Sequence, residues 1–267
     1  MTRSPEFTYS ALDRVAFAAS RGTPTDSDSF SFVATMLGPV LELTQLAAAG
    51  LLPQPGQAPW LSVDSLQAFE TAFRSERHQW VCPLTHRMGF LRTKGEWNPD
   101  ETPWISFGLS AQKAAIATGF HRRIAAQFVG AIGEMVSNIF EHSGKPETGV
   151  VAFRADSGNF EFVVSDKGRG VLESLRTCEE FSSLLDNGTA LRLALSEGVS
   201  RHGRGSGHGN GFRPIFVGLA NLSGTLRFRS GDHALIIEGR IINAISAKTA
   251  QKVAIPGFFA SVFCRNS

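Results

Sequence analysis

The chain is poor in the features that mark secreted, membrane-bound or strongly charged proteins. Its three cysteines are far apart in sequence, so a disulfide framework is not predicted and a reducing cytoplasm is expected. The 26 basic and 24 acidic side chains leave a net charge of +2, too small to indicate binding to nucleic acid or to a membrane surface. A signal-peptide pattern and an unbroken apolar run long enough to span a bilayer are also lacking. These absences predict a cytoplasmic protein without nucleic-acid or membrane partners.

Sequence motifs of several common enzyme classes are absent as well. No G-x-x-x-x-G-K-[ST] run occurs, and the glycine-rich stretch does not follow the G-x-G-x-x-G pattern behind a strand, so P-loop and Rossmann sites are excluded. No G-x-S-x-G elbow indicates a serine hydrolase. His142, His202 and His208 lack the spacing of a zinc site and have no cysteine close in sequence.

Hydrophobic patterning divides the chain into two regions. Residues 1–105 carry two predicted amphipathic helices, over residues 30–52 and 62–81, and no chemical motif, so we expect a mainly helical region for partner docking or homodimerisation. Residues 106–267 alternate between helix and strand, beginning with a long predicted helix over residues 113–142. The other predicted elements are strands over residues 149–155, 159–166, 225–229, 234–240 and 258–264, and helices over residues 189–199 and 212–222. This order favours an α/β (α+β) fold with helices on one face of a mostly antiparallel sheet.

A polar strip interrupts the long predicted helix. Glu134 and Asn138 are four residues apart and therefore share one face of it. An amide oxygen at Asn138 suits Mg²⁺, which prefers oxygen ligands, and a carboxylate at Glu134 suits polarisation of a nucleophile beside a terminal phosphate. A solvated helix face is the alternative that this motif alone leaves open.

A carboxylate followed by two glycines closes the predicted strand over residues 159–166. Asp166 can accept a hydrogen bond from the exocyclic amine of adenine, and Gly168 and Gly170 let the backbone approach a flat base. A base without that amine would leave the carboxylate unpaired, so the contact would discriminate between bases. An ordinary turn explains the same residues, because Asp and Gly are common there.

Five glycines alternate with other residues from Gly203 to Gly211, directly before the predicted helix over residues 212–222. Such a loop presents backbone N–H groups and the positive end of a helix dipole, which together suit a phosphate chain. A plain loop is the alternative. The candidate phosphate-binding residues are Gly207, His208, Gly209, Asn210 and Gly211.

The three motifs, in this order and spacing, resemble the ATP-binding domain shared by gyrase B-type topoisomerases, the ninety-kilodalton heat-shock chaperone, histidine kinases and mismatch-repair ATPases, the GHKL or Bergerat-fold family. The resemblance covers residues 111–265. The stretch from Glu134 to His142 is most similar to the asparagine box of the bacterial histidine-kinase-like and anti-sigma-factor-kinase branch. The resemblance implies a two-layer α/β sandwich of the histidine kinase-like ATPase type in residues 106–267.

The resemblance also implies a role for each residue of the first two motifs. Asn138 would ligate Mg²⁺ and Glu134 would act as general base. Asp166 would bind the adenine of ATP, while Gly168 and Gly170 would shape the adenine pocket.

For the remaining motifs, the resemblance implies phosphate contacts and a movable lid. The loop from Gly207 to Gly211 would contact the phosphates, and residues 171–206 would form the lid. The hinge candidates are Gly188, Gly198 and Gly203. The last family motif is commonly Gly-Thr, whereas this chain has Gly257 and Phe258.

Two functional hypotheses follow, and a structural protein whose motifs are vestigial is a third possibility. The first is an ATP- and Mg²⁺-dependent signalling protein, either a kinase that acts on a partner protein or a slow ATPase, because both reactions place a nucleophile in line with the terminal phosphate. The second is a non-catalytic module that binds ATP and changes shape without turnover.

Overall fold

The computed structural model of the protein describes residues 4–23, 31–94, 101–195, 224–238 and 248–266. The helices in these ranges are α1 (Tyr9–Ser20), α2 (Leu37–Ala48), α3 (Gln67–Arg74), α4 (Thr102–Ala117), α5 (Arg122–His142), α6 (Gly170–Arg176) and α7 (Asn187–Ala194). The strands are β1 (Phe32–Val33), β2 (Leu61–Ser62), β3 (Gln79–Val81), β4 (Met88–Arg92), β5 (Val150–Asp156), β6 (Asn159–Asp166), β7 (Thr225–Glu238) and β8 (Lys248–Arg265). None of these helices has the length and apolar character needed to cross a membrane.

The main structural unit is a six-stranded antiparallel sheet in the order β3-β4-β5-β6-β8-β7, accompanied by a small parallel sheet of β1 and β2. The predicted hairpin of β5 and β6 is confirmed, with Asp156 opposite Asn159. Ser157 and Gly158 form its turn at φ values of 40° and 81°, the left-handed conformation that two-residue hairpins favour. The protein is therefore a mixed α/β structure built on an antiparallel sheet.

Helices cover both faces of the six-stranded sheet, so the prediction of helices on one face was wrong. On one face, α4, α5 and α7 pack over alternate residues such as Phe160, Phe162 and Val164 of β6. On the other face, α1 and α2 pack over Val163 and Phe259. The physical reason lies in β6, which is buried almost throughout, because a strand covered on both faces carries a nearly continuous apolar run instead of an alternating one.

Several predicted elements differ from the structure in extent. The helix predicted over residues 113–142 is two helices, α4 and α5, because Gly119 follows the end of α4 at φ 99°, a conformation that stops a helix. The helix predicted over residues 62–81 is the shorter α3, and its last predicted residues form β3. The two short strands predicted on either side of Gly231 are one strand, β7, which bulges at this glycine where a turn was expected.

Charged side chains attach the N-terminal helices to the sheet. The buried carboxylate of Glu161 on β6 accepts hydrogen bonds from the first two backbone N–H groups of α2, at 2.7 and 2.6 Å. It thereby caps a helix that has no side-chain cap of its own. Arg227 on β7 pairs with Glu42 of α2 and with Asp13 of α1, at 2.7 Å in each case. Residues 4–94 therefore supply a helical layer on one face of the sheet as well as its strands β3 and β4.

Candidate functional site

Asp166 is buried at the end of β6, where the sequence predicted a ligand-binding carboxylate. It is 2% exposed, and its Oδ1 accepts a hydrogen bond from the backbone N–H of Gly168 at 2.6 Å. Phe258 lies directly opposite on β8, and its backbone N–H also donates to the carboxylate. Burial raises the pKa of Asp166 to about 7, because the loss of solvation outweighs these two donors. A further hydrogen-bond donor at this carboxyl group would therefore favour its ionised form.

The side chain of Asp166 lies on the sheet face that α5 covers. Side chains alternate along a strand, and Asp166 is two residues beyond Val164, which belongs to the core beneath α4 and α5. Phe258, the neighbour of Asp166 on β8, belongs to the same core. The carboxylate and the helix that carries the first motif are therefore on the same side of the sheet.

Two glycines with left-handed backbone conformation enclose the strand end. Gly257 has φ 68°, and a Cβ at this position would collide with the backbone oxygen of Asp166. Gly170 has φ 78°, and a Cβ there would lie 2.7 Å from Ser230 Oγ and 3.0 Å from the Gly257 carbonyl oxygen. Both positions require glycine for conformation and for space. The backbone around the carboxylate is therefore closely packed and free of side chains at these points.

The loop after Asp166 is bound to the C-terminal end of α5. The backbone N–H of Arg169 donates to the carbonyl oxygen of Ser143 at 2.9 Å, and Ser143 is the residue that caps α5. A Cβ at Gly168 would collide with that carbonyl group, so the close approach of loop and helix depends on glycine. This contact brings the end of α5, the helix that carries Glu134 and Asn138, together with the loop after Asp166, although β5 and β6 separate the two motifs in sequence.

The polar strip of α5 consists of an exposed and a half-buried residue. The helix begins after His121, whose Nδ1 accepts a hydrogen bond from the backbone N–H of Arg123 at 3.2 Å. Glu134 is exposed. Asn138 is half-buried, and its Nδ2 is buried with no hydrogen-bond partner among the described residues. A buried amide nitrogen in this state is destabilising unless a ligand or water completes its hydrogen bonds.

Ser230 connects the start of α6 to β8. Its buried Oγ accepts a hydrogen bond from the backbone N–H of Val171 and donates one to the carbonyl oxygen of Gly257, both at 2.9 Å. The sequence pattern predicted a hairpin turn at Ser230 and thus missed this role. No local signal identifies it, because its partners belong to other elements of the structure.

Gln45 of α2 reaches the same strand end from the opposite face of the sheet. Its Nε2 donates to the carbonyl oxygen of Asp166 at 3.0 Å, and the residue is 4% exposed. Sequence reasoning missed Gln45 too, although a signal was present. Glu42 and Gln45 interrupt an apolar helical pattern, and a polar residue buried in a helix usually has a specific partner.

The predicted phosphate-binding loop from Gly207 to Gly211, including His208 and Asn210, lies outside the described residues. The same holds for the helix predicted over residues 212–222. The structure therefore describes the predicted adenine and metal positions, and the phosphate-binding role of the loop stays a prediction.

The predicted lid over residues 171–206 is described as far as Leu195. In this part, α6 and α7 enclose a small apolar cluster of their own, and the end of α7 packs into the core beneath α5. Of the three hinge candidates, Gly188 lies in α7, and Gly198 and Gly203 lie outside the described residues. The described part of the predicted lid is thus packed against the rest of the protein.

A magnesium ion at the predicted site on α5 would have few protein ligands. No group of three or more His, Cys, Asp and Glu side chains within the described ranges is arranged to hold a metal ion. Mg²⁺ bound with a nucleotide usually keeps several waters and takes oxygen ligands from the phosphates and one or two side chains. The amide oxygen of Asn138 is a ligand of the kind that Mg²⁺ takes, whereas its Nδ2, which has no partner among the described residues, is a donor that a phosphate oxygen or water would satisfy.

Comparisons with family models, with curated proteins and with solved structures find no match for this chain. The function is therefore argued from the residues and geometry given above.

Proposed function

We propose that this protein binds ATP with Mg²⁺ on the α5 face of its sheet, in a domain of the histidine kinase-like (GHKL) type. The observation that carries the proposal is Asp166, a buried carboxylate at a strand end, on the side of the sheet that bears Asn138. Burial has raised its pKa to about 7, which makes it a strong acceptor for an additional N–H donor. Strongly perturbed carboxyl groups of this kind concentrate at functional sites.

Each residue would serve a different part of the nucleotide. The exocyclic amine of adenine would donate to Asp166, and the loop from Gly207 to Gly211 would hold the phosphates. Asn138 would turn its amide oxygen toward Mg²⁺, which when bound neutralises charge that develops on the transferred phosphoryl group. Glu134, one turn before Asn138 on α5, would accept the proton of a nucleophile placed in line with the terminal phosphate.

Titration calorimetry with ATP and GTP tests the adenine contact. We expect Mg-ATP to bind more tightly than Mg-GTP, because guanine presents a carbonyl oxygen where adenine presents its amine. Asp166→Ala should weaken ATP binding by about 10- to 100-fold, the range that the loss of a hydrogen bond to a charged group gives. The matched control is Asp156→Ala in the exposed hairpin turn of β5 and β6. Equal ATP affinity of wild type and Asp166→Ala would defeat the proposal.

Phosphoryl transfer to a partner protein or slow hydrolysis is the reaction we propose for this site. Radiolabelled ATP incubated with the purified protein, alone and with candidate partners, measures both. Glu134→Gln should abolish product formation and retain ATP binding, since the amide cannot take a proton. Glu141→Gln, on the exposed end of the same helix, is the control.

A second candidate function is a nucleotide sensor without turnover, and two observations favour it. Phe258 stands where the family commonly has Thr, and its ring packs in the core against Phe228 at a centroid distance of 6.0 Å. Glu134 is exposed, and no described residue forms a hydrogen bond with its carboxylate. Tight Mg-ATP binding without phosphate release or partner labelling, unchanged in Glu134→Gln, would select this alternative over the kinase and ATPase.

A further inference from the structure

A cleft lies on the opposite side of the sheet from the Asp166 carboxylate, between α2, α3 and β4. Its volume is about 540 Å³, which is within the range of small-molecule sites. Val40 and Leu41 of α2 and Phe69 and Phe73 of α3 give it apolar walls. A ligand with an apolar body would remove these surfaces from water.

Charged side chains line the same cleft, and two of its cations have carboxylate neighbours. Arg74 pairs with Glu70 at 3.4 Å across one turn of α3. The guanidinium of Arg92 lies 4.4 Å from the centre of the Phe73 ring and donates to a backbone carbonyl at 2.8 Å. Desolvation lowers the pKa of Arg92, and the charge of Glu76 opposes that shift.

Lys167 is the remaining cation of the cleft. Its ammonium group forms no ion pair with a carboxylate of the described residues. Lys167 is an exposed residue, and partial desolvation, followed by the charge of Arg92, lowers its pKa. Among the described residues that line the cleft, three cationic and two anionic side chains leave an excess of one positive charge between apolar walls. A ligand with a single negative charge would neutralise this excess positive charge.

We propose that this cleft binds a small amphipathic carboxylate, with its carboxylate at Lys167 and its apolar part between α2 and α3. A carboxylate carries one charge at neutral pH, which matches the single excess cation. A phosphate monoester carries nearly two negative charges, which is more than the single excess cation can neutralise. The proposal does not depend on ATP binding, and its test is made without nucleotide.

Titration calorimetry of the full chain with octanoate, octylamine and octyl phosphate tests the charge preference at constant chain length. Octanoate is expected to bind saturably and octylamine not to bind. Octanoate is also expected to bind more tightly than octyl phosphate. Equal binding of octanoate and octylamine, no saturable octanoate binding, or tighter binding of octyl phosphate would overturn the proposal.

Two variants test the position of the ligand. Lys167→Gln should weaken octanoate binding about tenfold, as expected for the loss of one charge-assisted hydrogen bond. Lys113→Gln, an exposed lysine on α4 across the sheet, should leave it unchanged. Ala48→Trp, at an exposed position that lines the cleft, should block binding while the melting temperature is retained. Wild-type affinity in both Lys167→Gln and Ala48→Trp would place the octanoate elsewhere and refute the proposal.

Discussion

Replacing Asp166 by Asn should remove a pH-dependent loss of stability from the fold and should also remove ATP binding. The pKa of Asp166 is raised from 3.8 to about 7, so between these values the folded state holds a proton that the unfolded state has released. A raised pKa of this kind contributes stability at low pH that is lost as the pH rises to about 7. Each pH unit corresponds to about 1.4 kcal/mol, and the interval from about pH 5 to about pH 7 therefore corresponds to about 3 kcal/mol.

Asn at this position has no proton to lose and retains an oxygen that can accept from the Gly168 N–H. The free energy of unfolding of Asp166→Asn relative to wild type should therefore increase by about 3 kcal/mol from about pH 5 to about pH 8. Urea unfolding followed by tryptophan fluorescence measures this difference at each pH. Asp156→Asn, in the exposed hairpin turn, is the matched control for the substitution.

Measuring the melting temperature with Mg-ATP distinguishes the effect of Asp166→Asn on stability from its effect on ATP binding. At about pH 8, ATP should raise the melting temperature of wild type and have no effect on Asp166→Asn, because the amide presents its own N–H groups to the adenine amine. A stability difference that does not change with pH would refute the titration argument. ATP stabilisation of Asp166→Asn equal to that of wild type would refute the adenine contact instead.

Three further substitutions test how the site is held. Glu161→Ala should lower the free energy of unfolding by about 3 kcal/mol in denaturant titrations, because two buried N–H groups of α2 lose their acceptor. Gly257→Ala should cost more than Gly158→Ala in the same assay, since both have positive φ but only a Cβ at Gly257 collides with backbone. Ser230→Ala should cost about 1–2 kcal/mol, because it removes both hydrogen bonds of the buried hydroxyl.

The elements that were correctly predicted are those with a strong local signal. The hairpin of β5 and β6 combines two β-favouring runs with a turn at Ser157 and Gly158, whose left-handed conformation suits a two-residue loop. The polar strip of α5 and the carboxylate at the end of β6 could likewise be located from spacing. The structure places these two motifs on one side of the sheet.

The features that were missed depend on contacts between distant parts of the chain. Gln45 and Asp166 are 121 residues apart, and Glu161 is 124 residues from the first N–H group it caps. Such partners have no common local pattern. The helix coverage of both sheet faces was missed although β6 carries a signal for it, since Val163 and Val164 are adjacent, both apolar and both buried.

The ionised carboxylate of Asp166 is costly in this fold, because desolvation of the charge is the main cause of its raised pKa. An amide oxygen could accept the hydrogen bond from the Gly168 N–H without that cost, but the NH₂ group of the amide would need an acceptor of its own. Gln45 donates to the backbone carbonyl of Asp166, and this hydrogen bond does not involve the Asp166 side chain. The charge becomes favourable when a third donor reaches the carboxyl group, because a hydrogen bond to the ionised form offsets its burial. The proposed adenine amine is a donor of that kind, and the proposal thereby gives a physical reason for a carboxylate at the end of β6.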